Sequence, residues 1–479
     1  MGKNEEIDIT GPLQEKPVPK LDPEIMKSAS LLALLGPGIV SAACDIGSGE
    51  IVYCSVIGAS YGFSLAWALV AAAFFKWWPG MEAARYTLCT GESAMHAFYR
   101  INKWLTGVIA IICLIMILSG PGGVIGAAGT AAAALTGWGT FGVWAAILTI
   151  LGALVICLGK RVYSIMEKVT LITGALMIGG MVLVGAWVTT PETLFEFFKG
   201  AVSFGYIPPG LHWGVMLSFL GFGFGSGGEA AIRYTNLIKE KGWGMGKYTK
   251  GIAGLFSKEE SPGEYMVGFK PSATSEDIEN YNRWFKVFLI DAAGVMWPMN
   301  FFGAAIFLYL GAVILHPKGL VPSGIKIAVT QAEYFRVVMG DFGWYLFLFL
   351  VVINLWDTWI SAFDVWARPV IDFFTMSLRK FIKVLDARKW YFILLAYCTI
   401  GSIWLGLGGV LPGELLLILG WGTVALYPIV SIGMFIANRR YIPKEYRGGA
   451  LATILNLLSA AFFSFFWVFN LLWTLKLIK

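Results

Sequence analysis

Apolar residues along this 479-residue chain come in long blocks, with neither the spacing of a surface helix nor the alternation of a half-buried strand. From residue 30 to the C-terminus, windows of roughly 20 apolar residues recur, each long enough to cross a ~30 Å hydrocarbon core as a helix. About eleven can be drawn, at 30–58, 64–84, 104–128, 141–159, 167–189, 211–238, 285–315, 342–367, 390–410, 412–437 and 449–475. A helix satisfies its own backbone groups where no water can, so the pattern predicts an all-α integral membrane protein with about eleven transmembrane helices.

Composition agrees. Hydrophobic residues make up 57% of the chain and charged ones 14%, against the ~25% charged residues usual in soluble domains, and the mean hydropathy is +0.71. The first 29 residues hold four Lys and six acidic residues and lack the basic-then-apolar order of a signal peptide. They read as a solvated, cytoplasmic polar tail. Lys and Arg crowd alternate loops, around Arg100 and Lys103, Lys160 and Arg161, 239–286, Arg379 to Lys389 and Arg439 to Arg447, while 129–140 and 411–413 carry none. Positive charge stays on the cytoplasmic side, so the N-terminus is expected inside, the C-terminus outside, and the membrane to be the plasma (inner) membrane. The net charge of +6 is then a signal of topology, and the lipid bilayer, not nucleic acid, is the expected partner. The cysteines are scattered without C-x-x-C spacing, against a disulfide framework or a zinc site. A polar stretch, 242–284, forms a cytoplasmic insertion whose end, Thr274 before Glu276 and Asp277, has the form of a helix N-cap.

The sharpest local signal is a repeated interruption. The first span breaks at Asp45-Ile46-Gly47-Ser48-Gly49-Glu50 and the sixth at Gly223-Phe224-Gly225-Ser226-Gly227-Gly228-Glu229. Clustered glycines let a helix unwind and free its carbonyls near mid-membrane. Carbonyls beside a carboxylate make a cation site, and an intramembrane acid costs about 2.5–3.5 kcal/mol unless a partner, a cavity or an ion meets it. Candidate binding residues are therefore Glu50, Glu229, Gly47, Ser48, Gly49, Ser226, Gly227 and Asp45. A plainer reading stands beside this one: Ser226 and Glu229 have capping-box spacing, and Ser48 with Glu50 could cap a half-helix. Asp357, Asp291 and Asp364 could line an ion or proton route, although Asp364 with Arg368 also has the spacing of an intrahelical pair. Glu82 with Arg85 reads as a structural pair.

The chain resembles the Nramp metal-transporter family at Gly36-Pro37-Gly38-Ile39, Tyr61-Gly62-Phe63-Ser64-Leu65-Ala66-Trp67, Arg85-Tyr86-Thr87-Leu88-Cys89-Thr90-Gly91 and Val124-Ile125-Gly126. The resemblance implies two inverted five-helix repeats, 30–189 and 211–437, with broken helices one and six and an additional helix at 449–475. It also places the family's first-span metal motif, Asp-Pro-Gly-Asn, on Gly47, Ser48, Gly49 and Glu50, and its sixth-span Met-Pro-His on Gly227, Gly228 and Glu229. The ligand Asp and the thioether are absent, and Gly120 and Gly123 stand where the family has third-span acids.

Two carboxylates, carbonyls and hydroxyls without sulfur suit a hard cation such as Mg²⁺ or Mn²⁺. The expected function is thus alternating-access transport of a divalent metal ion, which is cargo and not a cofactor; no cofactor is expected. The same pocket would also take an organic amine or amino acid, and broken helices also line channels. Three dispersed histidines and the absence of hydrolase or phosphate-loop motifs argue against an enzyme. Oligomeric state is left open.

Overall fold

The computed structural model describes residues 10–24, 31, 35–38, 41–42, 49–158, 160–225, 228–249, 267–377 and 387–477. From residue 49 the first span is a π-helical turn, Gly49–Cys54, running into α1, Ser55–Tyr61. There follow α2 (Ala66–Thr90), α3 (Ala94–Ile101), α4 (Lys103–Thr136), α5 (Phe141–Leu158), α6 (Lys160–Val188) and α7 (Pro191–Val202). The sixth span is split into α8 (Trp213–Phe222) and α9 (Gly228–Lys241). The seventh consists of α10 (Ser275–Asp291), a second π-turn (Ala292–Met296) and α11 (Trp297–Leu310). The chain then continues as α12 (Glu333–Ser377), α13 (Ala387–Leu407), α14 (Pro412–Tyr441) and α15 (Ala450–Thr474).

Among the described residues seven helical stretches are long and apolar enough to cross a membrane, and an eighth results if Ile172–Val188 and Pro191–Val202, bent by 114°, count as one. The expected spans outside this set are the first, second and sixth. Only part of the first is among the described residues, the sixth is split into α8 and α9, and α2 carries Lys76, Glu82 and Arg85 along its length. The exterior is apolar, with Trp404 73% and Phe302 70% exposed, whereas Glu50, Glu229, Glu92 and Asp291 are buried. That inversion is what lipid as solvent requires.

The third span, α4, lies against α12 and α14. A Cβ on Gly120 would come within 2.3 Å of the Trp366 ring, and one on Gly123 within 2.7 Å of Leu416. At the two positions where the resemblance implies acids, the small residue is therefore a seat for a neighbouring helix.

The N-terminal segment departs from the solvated tail expected of it. Residues Gln14–Lys16 form β1, paired in parallel with β2, Phe269–Pro271, from the 242–284 insertion. Val18 and Leu21 are buried. The Val18 N–H donates to Asp277 Oδ1 (2.7 Å), Trp284 Nε1 to the Pro19 carbonyl (2.8 Å) and Arg100 Nη1 to the Gly11 carbonyl (2.7 Å). Composition marked this segment as polar, yet its backbone finds partners that only the fold supplies. Thr274 caps α10 as its sequence predicts, accepting from the Asp277 N–H.

Candidate functional site

The sixth-span break lies between α8 and α9, where Gly225 takes φ +64°, a left-handed conformation that glycine adopts without penalty. In an unbroken helix the Gly225 N–H would donate to the Gly221 carbonyl, four residues back. Here that bond is divided between two charged side chains. The N–H donates to Glu50 Oε1 (3.2 Å) of the first span, and the carbonyl accepts from Lys76 Nζ (2.7 Å) of α2. The same ammonium donates to the carbonyls of Phe224 (2.8 Å) and Gly225 (3.3 Å). Its three protons thus meet three carbonyls of one unwound turn.

The first span reaches this turn because it has no side chain in the way. A Cβ on Gly49 would lie 1.9 Å from the Phe222 carbonyl oxygen. Cys54 Sγ sits 3.1 Å from the Gly223 carbonyl as a donor. Behind the break, a Cβ on Gly228 would meet the Leu426 and Tyr427 backbone of α14 at 2.6 to 2.7 Å. Glu229, in the first turn of α9, and Glu50 are both buried. Arg233, one turn further along α9, is buried too and donates to Ser41 Oγ (2.8 Å), joining the inner parts of the two broken spans. Lys76 and Arg233 are thus buried near the break together with Glu50 and Glu229.

Beside the break is a cavity of about 60 Å³, room for several waters at the ~10–15 Å³ one needs. Its walls include Lys76, Phe224, Gly225, Tyr234, Trp297, Asn300 and Tyr427, with Ala292 and Met296 of the π-turn in the seventh span. π-turns inside helices recur at functional sites, since the extra residue re-aims the side chains around it. Neither glutamate lines this cavity; both stand behind its wall.

The remaining sequence candidates separate. Asp45, Gly47, Ser48, Ser226 and Gly227 lie outside the described residues. Gly49 makes the close approach just described. Asp291 turns toward the start of the first span: Oδ1 accepts from Gly36 N–H (2.9 Å), and Oδ2 from Gly38 N–H (2.5 Å) and Tyr234 Oη (2.6 Å). Those bonds give it the form of a helix cap supplied from another span. Asp364 pairs with Arg368 (2.8 Å), which also bonds Glu240, the intrahelical pair that its spacing allows. Asp357 is half-buried on α12. Glu82 holds Arg85 and accepts from Asn438 Nδ2 (2.7 Å), bracing α2 against α14. Among the described residues no three His, Cys, Asp or Glu side chains gather as a metal cluster. Lys76 was missed from the sequence, where one lysine in an apolar window reads as an interruption; a basic residue at mid-span is itself the signal that a buried acceptor set awaits it.

No family model matches the chain. An uncharacterized protein of Pasteurella multocida is 35% identical over 86 residues, 18% of this chain, and the chain spans 20% of that relative's length. A manganese transporter of Eremococcus coleocola superposes with a TM-score of 0.65 over 97% of this chain and 89% of its own, at 13% identity. Mhp1, a nucleobase-cation-symport-1 family transporter, gives 0.52 at 15% identity, covering 93% of each chain. MhsT in complex with L-phenylalanine gives 0.50 at 12% identity over 91% of this chain and 97% of that one. At such identities the likeness is one of fold, and on it the chain is a multi-pass, predominantly helical membrane protein with the Nramp-like inverted-repeat fold.

Proposed function

We propose that the chain is a transmembrane transporter working by alternating access, with a divalent metal ion of hard character, Mg²⁺ or Mn²⁺, as cargo taken at the paired helix breaks. The observation that carries this reading is that buried Glu50 of the first span bonds the unwound turn of the sixth at Gly225, while Glu229, also buried, stands in the first helical turn after that break. The superposition with a manganese transporter along nearly the whole chain supports it. Glu50 and Glu229 supply oxygen, with Asp45, Gly47, Ser48, Gly49, Ser226 and Gly227 as further candidates. Oxygen ligands with water in the remaining positions suit an ion that gives up its hydration reluctantly.

A second reading is favoured by a specific observation. Lys76 and aromatic side chains line the cavity, while neither glutamate does. A small organic solute with a carboxylate, an amino acid above all, would find there a cation for its charge and rings for its body.

Flux into proteoliposomes loaded with a divalent-ion indicator decides between them. Saturable uptake of Mg²⁺ or Mn²⁺, with Ca²⁺ and Cd²⁺ as competitors, is expected. Movement of none of the four, together with saturable exchange of labelled amino acids, would replace the metal reading with the second.

A further inference from the structure

The wall of the break holds a charge of its own. Lys76 Nζ reaches the carbonyls of Gly221, Phe224 and Gly225 at 2.7, 2.8 and 3.3 Å. It also faces the rings of Tyr427 and Phe224 at 5.7 and 6.0 Å, and the residue is 9% exposed. Several carbonyls of an unwound helix converging on one point are the donor set of a monovalent cation, for which the ammonium is a near match in size and charge. We propose that Lys76 is a resident cation: it fills a small-cation site formed by the sixth-span break and so holds that turn in shape without any dissolved Na⁺ or K⁺.

Three features of the geometry support a built site over a chance contact. The carbonyl that Lys76 meets most closely is the one deprived of its helical N–H by Glu50. Left unmet in this setting, a buried carbonyl would be destabilising. The acceptors come from one turn whose φ at Gly225 turns them together. The lysine stem runs out of α2, which packs against α9 and α14, so the ammonium is delivered by a helix fixed on both sides of the break. The inference rests on the three carbonyl contacts and needs no cargo; it commits the ammonium's protons to the break, so an organic solute would meet there only its charge.

The test reads thermal stability of the purified full-length protein in detergent, at constant ionic strength, with choline replaced stepwise by Na⁺, K⁺ or NH₄⁺. Because it needs no cargo, its failure is distinct from failure of the transport reading. The wild type is expected to keep one Tm throughout. Lys76→Ala opens the carbonyl site, so its Tm is expected to be lower in choline and to rise saturably with one of the small cations, as linkage to a bound ligand requires. Lys76→Met keeps the stem without the charge, and is expected to stay low in every salt. A saturable cation response in the wild type, no response in Lys76→Ala, or an Ala variant that cannot be obtained folded in any of these salts would each overturn the proposal.

Discussion

At the scale of single residues, Glu50 has two tasks that substitution can separate. Its carboxylate accepts the Gly225 N–H, a structural bond, and it supplies charge at the break. Glutamine keeps an acceptor oxygen and removes the charge. Glu50→Gln and Glu229→Gln are therefore expected to fold at wild-type yield while losing transport by roughly tenfold or more, the factor that ~1.4 kcal/mol of lost charge interaction makes. Full flux in both glutamine variants would leave the glutamates a capping role alone. His96 of α3 offers a test by pH. Burial, with the charges of Lys239 and Arg100, pushes its imidazole down to about 3, against the pull of Glu92. Since the folded value lies below the ordinary 6.5, the unfolded chain binds the proton first as pH falls. Stability is then complete above about pH 6.5 and declines toward pH 3, at up to about 1.4 kcal/mol per pH unit. Glu92 adds to the decline lower down: burial opposes its charge, but the Arg100 guanidinium at 2.7 Å holds it below the usual carboxylate value. In His96→Asn, Tm between pH 6.5 and 4.5 is expected to flatten while the loss below pH 4.5 persists.

At the scale of elements, the N-terminal strap shows how the insertion and the seventh span are organised. Asp277 joins them. It accepts from Val18 N–H (2.7 Å), from Thr274 Oγ1 (2.8 Å) and from Ser272 Oγ in the loop before α10. Hydrogen bonds to a charged acceptor contribute ~1.5–3 kcal/mol each, so losing this hub should free the strap locally before it unfolds the bundle. In Asp277→Ala, trypsin is expected to cut after Lys20 at least roughly tenfold faster than in the wild type, with helical content unchanged. Equal rates would show that β1 and the Trp284 to Pro19 bond (2.8 Å) hold the strap without it.

At the scale of the whole molecule, orientation rests on the alternation of Lys and Arg, and the fold sharpens its test. Lys270 of β2 is exposed on the side of the basic loops, and Lys476 is exposed beyond α15. In a Cys157→Ser background, Lys476→Cys is expected to react with an impermeant thiol reagent in intact cells, and Lys270→Cys only after permeabilisation. The reverse pattern would invert the topology. The fold likeness to carriers of unlike cargo also shows why architecture was easier to read than substrate. Long apolar blocks and glycine breaks are set by the membrane, while cargo is set by a few side chains at one turn.

Local physics reached as far as the bilayer does. Block length, the positions of Lys and Arg and the repeated glycine-glutamate break follow from backbone satisfaction in lipid, a constraint each segment meets by itself, and they foretold a multi-pass helical membrane protein whose sixth span is split just before Glu229. Partners distant in sequence were decided only by folding. Asp291, an intramembrane acid with no neighbour to explain it, meets Gly36 and Gly38 some 250 positions away. The third-span glycines await Trp366 and Leu416. Lys76, an interruption in an apolar run, lies against the sixth-span carbonyls 145 to 149 positions on. A buried charge is tolerable only where the rest of the chain delivers its counterpart, and that delivery is a property of packing which no local pattern records.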